Sequence, residues 1–242
     1  MEYEKRVVAF IDILGFKNIV SNISNFDKIK KVANALKEEK KDTDKWNKIG
    51  DNDSFLETYF SDSLIMSSRL EYGGFFDLIN QIAFIMQIIT ECGFVARGGI
   101  SYGDLYHKDG VIFGPALIDA YNIESNIAIY PRVLMSEKTY NECLEVYDNV
   151  NDYKTRKNYC DVVVREAIIN ELGDKYYYID YLNQMDSYDF EIGWIELLKK
   201  AKNIIQTAFS NIKDKHVLDK YRWFENYLKE VLIENDIDYK TL

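Results

Sequence analysis

Two prolines and three cysteines in 242 residues are little of either, and each shortage excludes something. With so little proline there is no Pro-rich linker and no low-complexity recognition tract. Cys92, Cys143 and Cys160 are odd in number and widely spaced, with no C-x-x-C pair; this excludes a disulfide framework and a cysteine zinc site and fits a cytoplasmic protein. The two histidines, His107 and His216, have no second ligand at metal-binding spacing. Both are expected at the surface, His107 in a turn and His216 at a helix junction. No apolar run approaches the roughly 20 residues that span a bilayer, and the opening MEYEKRVVAFID is broken by an acid too soon to resemble a signal peptide. Positive charge is also short. With 30 Lys and Arg against 40 Asp and Glu, the net charge is −10, which disfavours polymeric nucleic acid and membrane surfaces as partners. A small anionic substrate stays open if metal ions bridge the two sets of negative charge.

What is present is core-forming material. The chain is 47% hydrophobic and 14% aromatic, with 19 tyrosines, a composition that folds rather than stays disordered. The length suits one core with a modest C-terminal addition.

Periodicity then orders the elements. VVAFIDIL, Val7 to Leu14, is a short β-branched run predicted to be a buried strand. A helical pattern follows from about Phe16 to Glu39, interrupted near Ser24 and Asn25, and the charged stretch from Lys37 to Ser54 is predicted as a solvated loop or frayed helix end. Two strands flank Ser61, Asp62 and Ser63 as a hairpin. Phe75 to Cys92 is an amphipathic helix capped by Gly93. FVARGGISYGDLY is a strand, with Gly103 marking a bulge or bend, and it pairs with VIFG across HKDG. Pro115 opens a helix to about Asn126. YPRVLMS is a strand, Ser136 caps a helix through Tyr147, Val162 to Val164 is ambiguous, and Lys175 to Leu182 is strand-like. Beyond Phe190 two amphipathic helices meet near Lys213 to His216.

Within this order three charged residues stand out. Asp12 interrupts an apolar strand, where an ionised carboxylate is costly without a cation. Asp62 sits on a hairpin turn, and two carboxylates on adjacent strands can hold divalent ions about 3.5–4 Å apart. Taken singly, each acid has a commoner explanation, a strand end in solvent and a turn bonded to its own backbone. Arg97 is equally explained as a surface residue or half of an ion pair. Its neighbours Gly98 and Gly99, however, permit close approach of another backbone.

Together, VVAFIDILGF, YFSDSLI, ARGGISYGDLYHKDGVIFGPALIDAYNIES and YPRVLMS resemble the catalytic domain of class III nucleotide cyclases. Within that superfamily they are most similar to the bacterial pyrimidine cyclases of Pycsar antiphage defence. The resemblance implies an α+β, ferredoxin-like domain over residues 1–185, with a central mainly antiparallel sheet and flanking helices. A C-terminal helical extension, residues 186–242, packs on the same core. It also implies two Mg²⁺ or Mn²⁺ ions held by Asp12, Asp62 and the backbone carbonyl of Ile13, with Arg97 on the triphosphate. Gly15, Phe16, Thr58, Tyr59, Phe60, Asp119, Asn122 and Lys175 fall to the substrate, Lys175 as the late phosphate-binding lysine.

The implied partners are a nucleoside triphosphate, a second copy of the chain completing each site, and a separate effector that responds to the cyclic product. The pattern departs from purine cyclases in places. Ile118 and Asn122 stand where those carry an Asn and a transition-state Arg, and Thr58 and Val111 stand at their base-selecting positions. With Tyr59 and Phe60 nearby, the expected reaction is UTP, or CTP, to the 3′,5′-cyclic monophosphate and pyrophosphate. A purine cyclase, or a nucleotide-binding chain without turnover, are the alternatives.

Overall fold

The computed structural model describes residues 2–21, 25–47, 55–70, 74–145, 163–169, 173–183 and 191–242. The elements run β1 (Glu4–Ile13), α1 (Phe16–Val20), α2 (Phe26–Asn47), β2 (Phe55–Phe60), β3 (Ser63–Ser68), α3 (Gly74–Glu91), β4 (Ala96–Lys108), β5 (Val111–Phe113), α4 (Pro115–Asn126), β6 (Val133–Ser136), α5 (Glu137–Glu145), β7 (Val164–Ile169), β8 (Asp174–Ile179), a 3-10 turn (Tyr181–Asn183), α6 (Glu191–Asn211) and α7 (Lys215–Glu234). Cys160, Tyr147, Val162, residues 48–54 and the boundary between residues 185 and 186 lie outside the described residues.

One sheet runs in the order β2-β3-β1-β4-β6-β8-β7, with β5 paired to β4 off that path. Every pairing is antiparallel except β4 with β6. The first four strands of that order, joined through α2 and α3, interleave two split β-α-β units, the ferredoxin-like arrangement. β1 is central, and its VVA run is buried on both faces, which is why it reads as continuous hydrophobics rather than as an alternation.

The large core lies on one face. Ala9 and Ile11 of β1 pack there with α3, and Leu197 of α6 and Phe224 of α7 join the same cluster. α4 packs on the other face, over a small cluster of Val8, Ile65, Leu105, Ala116 and Ala120. Asp12 belongs to this second face by its period-two relation to Val8 and Phe10.

Several expectations change. α2 continues through the charged stretch to Asn47, because Lys and Glu are good helix formers even without apolar partners. Gly103 makes no bulge: it pairs with Arg6 in unbroken register, and a Cβ there would meet Ala116 at an ordinary 3.6 Å. β6 begins only at Val133 because Tyr130 to Arg132 turn on an Arg132 N–H donating to the Tyr130 carbonyl at 2.7 Å. Of the ambiguous stretch, Val164 opens β7, which pairs with β8. β8 stops at Ile179, and the 3-10 turn begins at Tyr181.

His107 is the clearest correction. The turn is Asp109-Gly110, both with positive φ (52° and 76°), so His107 remains in β4 and is 7% exposed. Its Nδ1 shares a 2.9 Å hydrogen bond with Ser67 Oγ, and its Nε2 one of 2.9 Å with Thr58 Oγ1. Ser67 Oγ also accepts from Nε of the fully buried Arg6 at 2.9 Å.

Candidate nucleotide and metal site

β1 ends where the β2–β3 hairpin turns. Asp12 pairs with Ser63 on one side and Arg97 on the other, and the Ile13 N–H donates to the Asp62 carbonyl at 3.1 Å, tying the hairpin tip to the strand end. The two-residue loop is Ser61-Asp62, with Ser61 at φ 56°. This brings the Asp12 and Asp62 carboxyls within hydrogen-bonding reach of each other, residues 50 positions apart in the chain. Partial burial, then the charges of Asp62 and Glu124, push the Asp12 carboxyl from its ordinary 3.8 to about 7, with Arg97 opposing them.

Arg97 is held by α4. Its Nε lies 2.7 Å from Glu124 Oε1, and Nη1 donates to the Ala128 carbonyl at 3.4 Å. Glu124 is 3% exposed, the third member of the buried stripe Ala116–Ala120–Glu124. The glycines make this contact possible. At Gly99 a Cβ would run into the Ala120 carbonyl oxygen and reach Ile123 Cβ at 2.7 Å, and at Gly98 it would stand 2.6 Å from the Phe10 carbonyl. Gly99 thus lets the α4 backbone lie on the strand, while Gly98 lets β1 and Val133 close in on β4.

The other expected site residues fall into two groups. Thr58 and Phe60 share the Asp12 face by register, Thr58 bonded to His107 and Phe60 76% exposed. Asp119 and Asn122 are exposed on α4, above that face. Gly15 forms the turn after β1 with φ 75°, and Phe16 opens α1 against the main core. Tyr59 points to the opposite face, where its hydroxyl donates to Glu57 Oε2 at 3.1 Å. There, with Ile11, Ile13, Val32 and Leu36, it walls an apolar cavity of about 320 Å³ that reaches Asp62 only at its hairpin edge. Lys175 lies one residue beyond the Ser136–Tyr176 pair, whereas Arg97 is at the opposite end of the β4–β6 pairing; its ammonium sits 2.7 Å from Glu166 and 3.5 Å from Glu137. It is apart from the two acids.

No protein-family model matches this chain, and no curated protein matches it. Among solved structures it is similar to the catalytic core of a rhodopsin-guanylyl cyclase with converted specificity in complex with ATPalphaS: 17% identity, TM-score 0.49, 74% of this chain and 97% of that one. It is also similar to a bacterial light-regulated adenylyl cyclase, at 13% identity and TM-score 0.49 over 86% of this chain and 59% of that one. An adenylate/guanylate cyclase/hydrolase from Silicibacter pomeroyi follows, at 14% identity and TM-score 0.45 over 74% and 98%. At these identities and scores the likeness carries no weight on activity.

Two participants lie outside the sequence expectations. Glu124 does carry a usable signal: a carboxylate at the third position of a small-residue stripe must find a cation. His107 carries one as well, since it continues the alternation of Gly99, Ser101, Gly103 and Leu105 on β4. Among the described residues no group of three or more His, Cys, Asp or Glu side chains could by itself hold a metal, so any ion here would need backbone or ligand oxygens besides the two acids. No described helix is long and apolar enough to cross a membrane.

Proposed function

We propose that this chain is a nucleotide cyclase converting a pyrimidine ribonucleoside triphosphate, UTP before CTP, to its 3′,5′-cyclic monophosphate and pyrophosphate. The observation that carries the reading is the meeting of the Asp12 and Asp62 carboxyls beside Arg97 on one face of the sheet. An acid whose proton affinity is raised by burial and by a second carboxylate beside it forms, with that neighbour, a donor set that a divalent cation suits, since a cation removes the repulsion. Asp12, Asp62 and the Ile13 carbonyl are the groups that would hold Mg²⁺ or Mn²⁺, which when bound acidifies a hydroxyl and offsets phosphate charge.

In the reaction the ribose 3′-oxygen bonds to the α-phosphorus, the bond from that phosphorus to the bridging oxygen breaks, pyrophosphate leaves with the electron pair, and the hydroxyl proton is lost. Arg97, now the cation of the 2.7 Å ion pair with Glu124, would exchange that carboxylate for phosphate oxygens. Thr58, engaged by His107, offers a short hydroxyl where purine cyclases of the resembled family carry a lysine, and Phe60 offers a ring beside it. That composition supports a single-ring base.

The test is incubation of the purified protein with Mn²⁺ and each of the four ribonucleoside triphosphates, with Asp62→Ala alongside. Cyclic UMP from the parent, lost in the variant, is expected; cyclic AMP as sole product overturns the pyrimidine assignment. The Arg97–Glu124 ion pair, with Ile118 and Asn122 on α4, favours a second reading in which nucleotide binds without turnover. No product from any triphosphate would select it.

The Asp12 face also supports a homodimer completing each site. Phe60, Ile118 (60% exposed) and Tyr121 (51%) present apolar surface around it, and Tyr121 makes an edge contact with Phe10 at 5.4 Å. Ile118→Glu is expected to give a monomer by light scattering and to lose turnover with the dimer. A variant that stays dimeric would remove this face as the interface. Through the IDILGF resemblance, the product would act on a separate effector in antiphage defence.

A further inference from the structure

The C-terminal helix α7 runs across the strand ends and meets the strands in sheet order. Glu234 and Glu230 contact Arg165 of β7, at 2.8 Å and 3.8 Å. Tyr227 donates to Asp180 Oδ1, just past β8, at 2.7 Å. Trp223 makes an edge contact with Tyr178 of β8 at 5.7 Å and stacks on Tyr130, before β6, at 5.8 Å and 9°. These positions recur every three or four residues and so share one face of the helix. The match has a metric cause, since a helical turn advances about 5.4 Å and neighbouring strands lie about 4.8 Å apart.

The next residue of that stripe is Lys220, and the next strands in the sheet are β4, with Arg97 at its start, and β1, with Asp12 near its end. The helix is fixed at this point. The Arg132 guanidinium lies 5.4 Å from the Tyr130 ring and 5.2 Å from that of Trp223, and the Arg132 carbonyl accepts from the Gly98 N–H, beside Arg97, at 3.1 Å. The electrostatics agree with this placement. Burial, then the charge of Arg97, lower the Lys220 pKa from the ordinary lysine value, while Asp12 and Glu124 act the other way. Among the described residues Lys220 makes no hydrogen bond or ion pair.

We propose that Lys220 contacts the β- and γ-phosphates of the bound triphosphate, so that the C-terminal helix supplies from the same chain a cation that α4 lacks. The inference rests on the nucleotide reading of the Asp12 site and deepens it. Arg97 and Lys220 then bring two positive charges to the site where Asp12, Asp62 and Glu124 meet, which an anionic ligand requires. Charge-assisted hydrogen bonds from Lys220 would strengthen as pyrophosphate takes on the leaving electron pair.

The experiment is calorimetric titration of inorganic tripolyphosphate into Mn²⁺-loaded parent, Lys220→Met and Lys220→Arg. The Met variant should bind about tenfold more weakly, the worth of one hydrogen bond to a charged group. The Arg variant should stay near the parent, and all three should melt together because Lys220 makes no hydrogen bond or ion pair among the described residues. Equal binding by parent and Met variant, or no binding by the parent, overturns the assignment. The cyclase reading is decided separately, by product formation in the parent: a parent that turns over while Lys220→Met binds as it does removes Lys220 alone.

Discussion

Asp12→Asn is expected to abolish turnover and, in the same protein, to raise the melting temperature at pH 8 when divalent ions are chelated. The two effects have one cause. In the folded chain the Asp12 carboxyl titrates near 7 rather than 3.8, because it is partly buried beside Asp62 and Glu124. The folded state therefore keeps a proton that the unfolded chain releases between about pH 4 and 7, and stability falls across that window as pH rises. Above it the parent carries an ionised Asp12 against two other acids; asparagine keeps the shape without the charge. Solvent screens the half-buried group, so the gain expected at pH 8 is about 2–4 °C, the shift that roughly 1 kcal/mol produces in a chain of this size. Below about pH 4 the difference should vanish. Adding Mn²⁺ should reverse the order, raising the parent and leaving the variant unmoved, with product formation down about a thousandfold or more. Thermal scans at pH 4, 6 and 8, with and without Mn²⁺, check the sign. A variant less stable than the parent at pH 8 in chelator, or one that still turns over, would mean that Asp12 is an ordinary strand-end acid.

The same cost of a buried charge makes the site partly legible in the amino-acid sequence. An acid inside VVAFIDIL breaks an apolar pattern, and a pattern break in a central strand calls for a compensating charge. Strand periodicity puts Asp12 near a strand end and the hairpin puts Asp62 on a turn, but neither tells which turn meets which strand; the β1–β3 register does that. The motif HKDG suggests a four-residue connection with His107 in it, although only Asp109 and Gly110 have the positive φ a tight hairpin loop uses. Tyr59 is a sequence neighbour of Thr58 and Phe60, yet alternate strand residues face opposite ways, so it lines the apolar cavity instead. Lys175 illustrates the limit of carrying a role by resemblance: its strand, β8, is present, but register sets it at the far end from Arg97, beside Glu166 and Glu137. Lys220 has no such local signal, because its placement depends on how a terminal helix crosses the sheet, a tertiary fact with no sequence pattern to announce it.

Gly99→Val is expected to produce the largest loss of stability of any single change near the site. The second glycine of ARGG faces α4 so closely that even a Cβ meets the Ala120 carbonyl oxygen, Ile123 Cβ at 2.7 Å and the Glu124 backbone nitrogen at 2.9 Å. Two of these three are backbone atoms of a regular helix, which cannot rotate aside as a side chain can. The helix as a whole must move. Ala116 and Ala120 would then leave the cluster they form with Val8, Ile65 and Leu105, and overpacking of this kind costs about 3 kcal/mol at the upper end of its usual range. Because Glu124 sits on the displaced turn, its 2.7 Å approach to Arg97 would open, leaving a carboxylate that is 3% exposed without its cation, itself a strongly destabilising state. A Gly99→Val/Glu124→Gln pair separates the two contributions. The double variant should regain the part due to the stranded charge and keep the steric part, so that denaturant midpoints rank parent, double variant, single variant. If Gly99→Val alone melts with the parent, α4 does not lie on the strand as described, and the positioning of Arg97 by Glu124 falls with it.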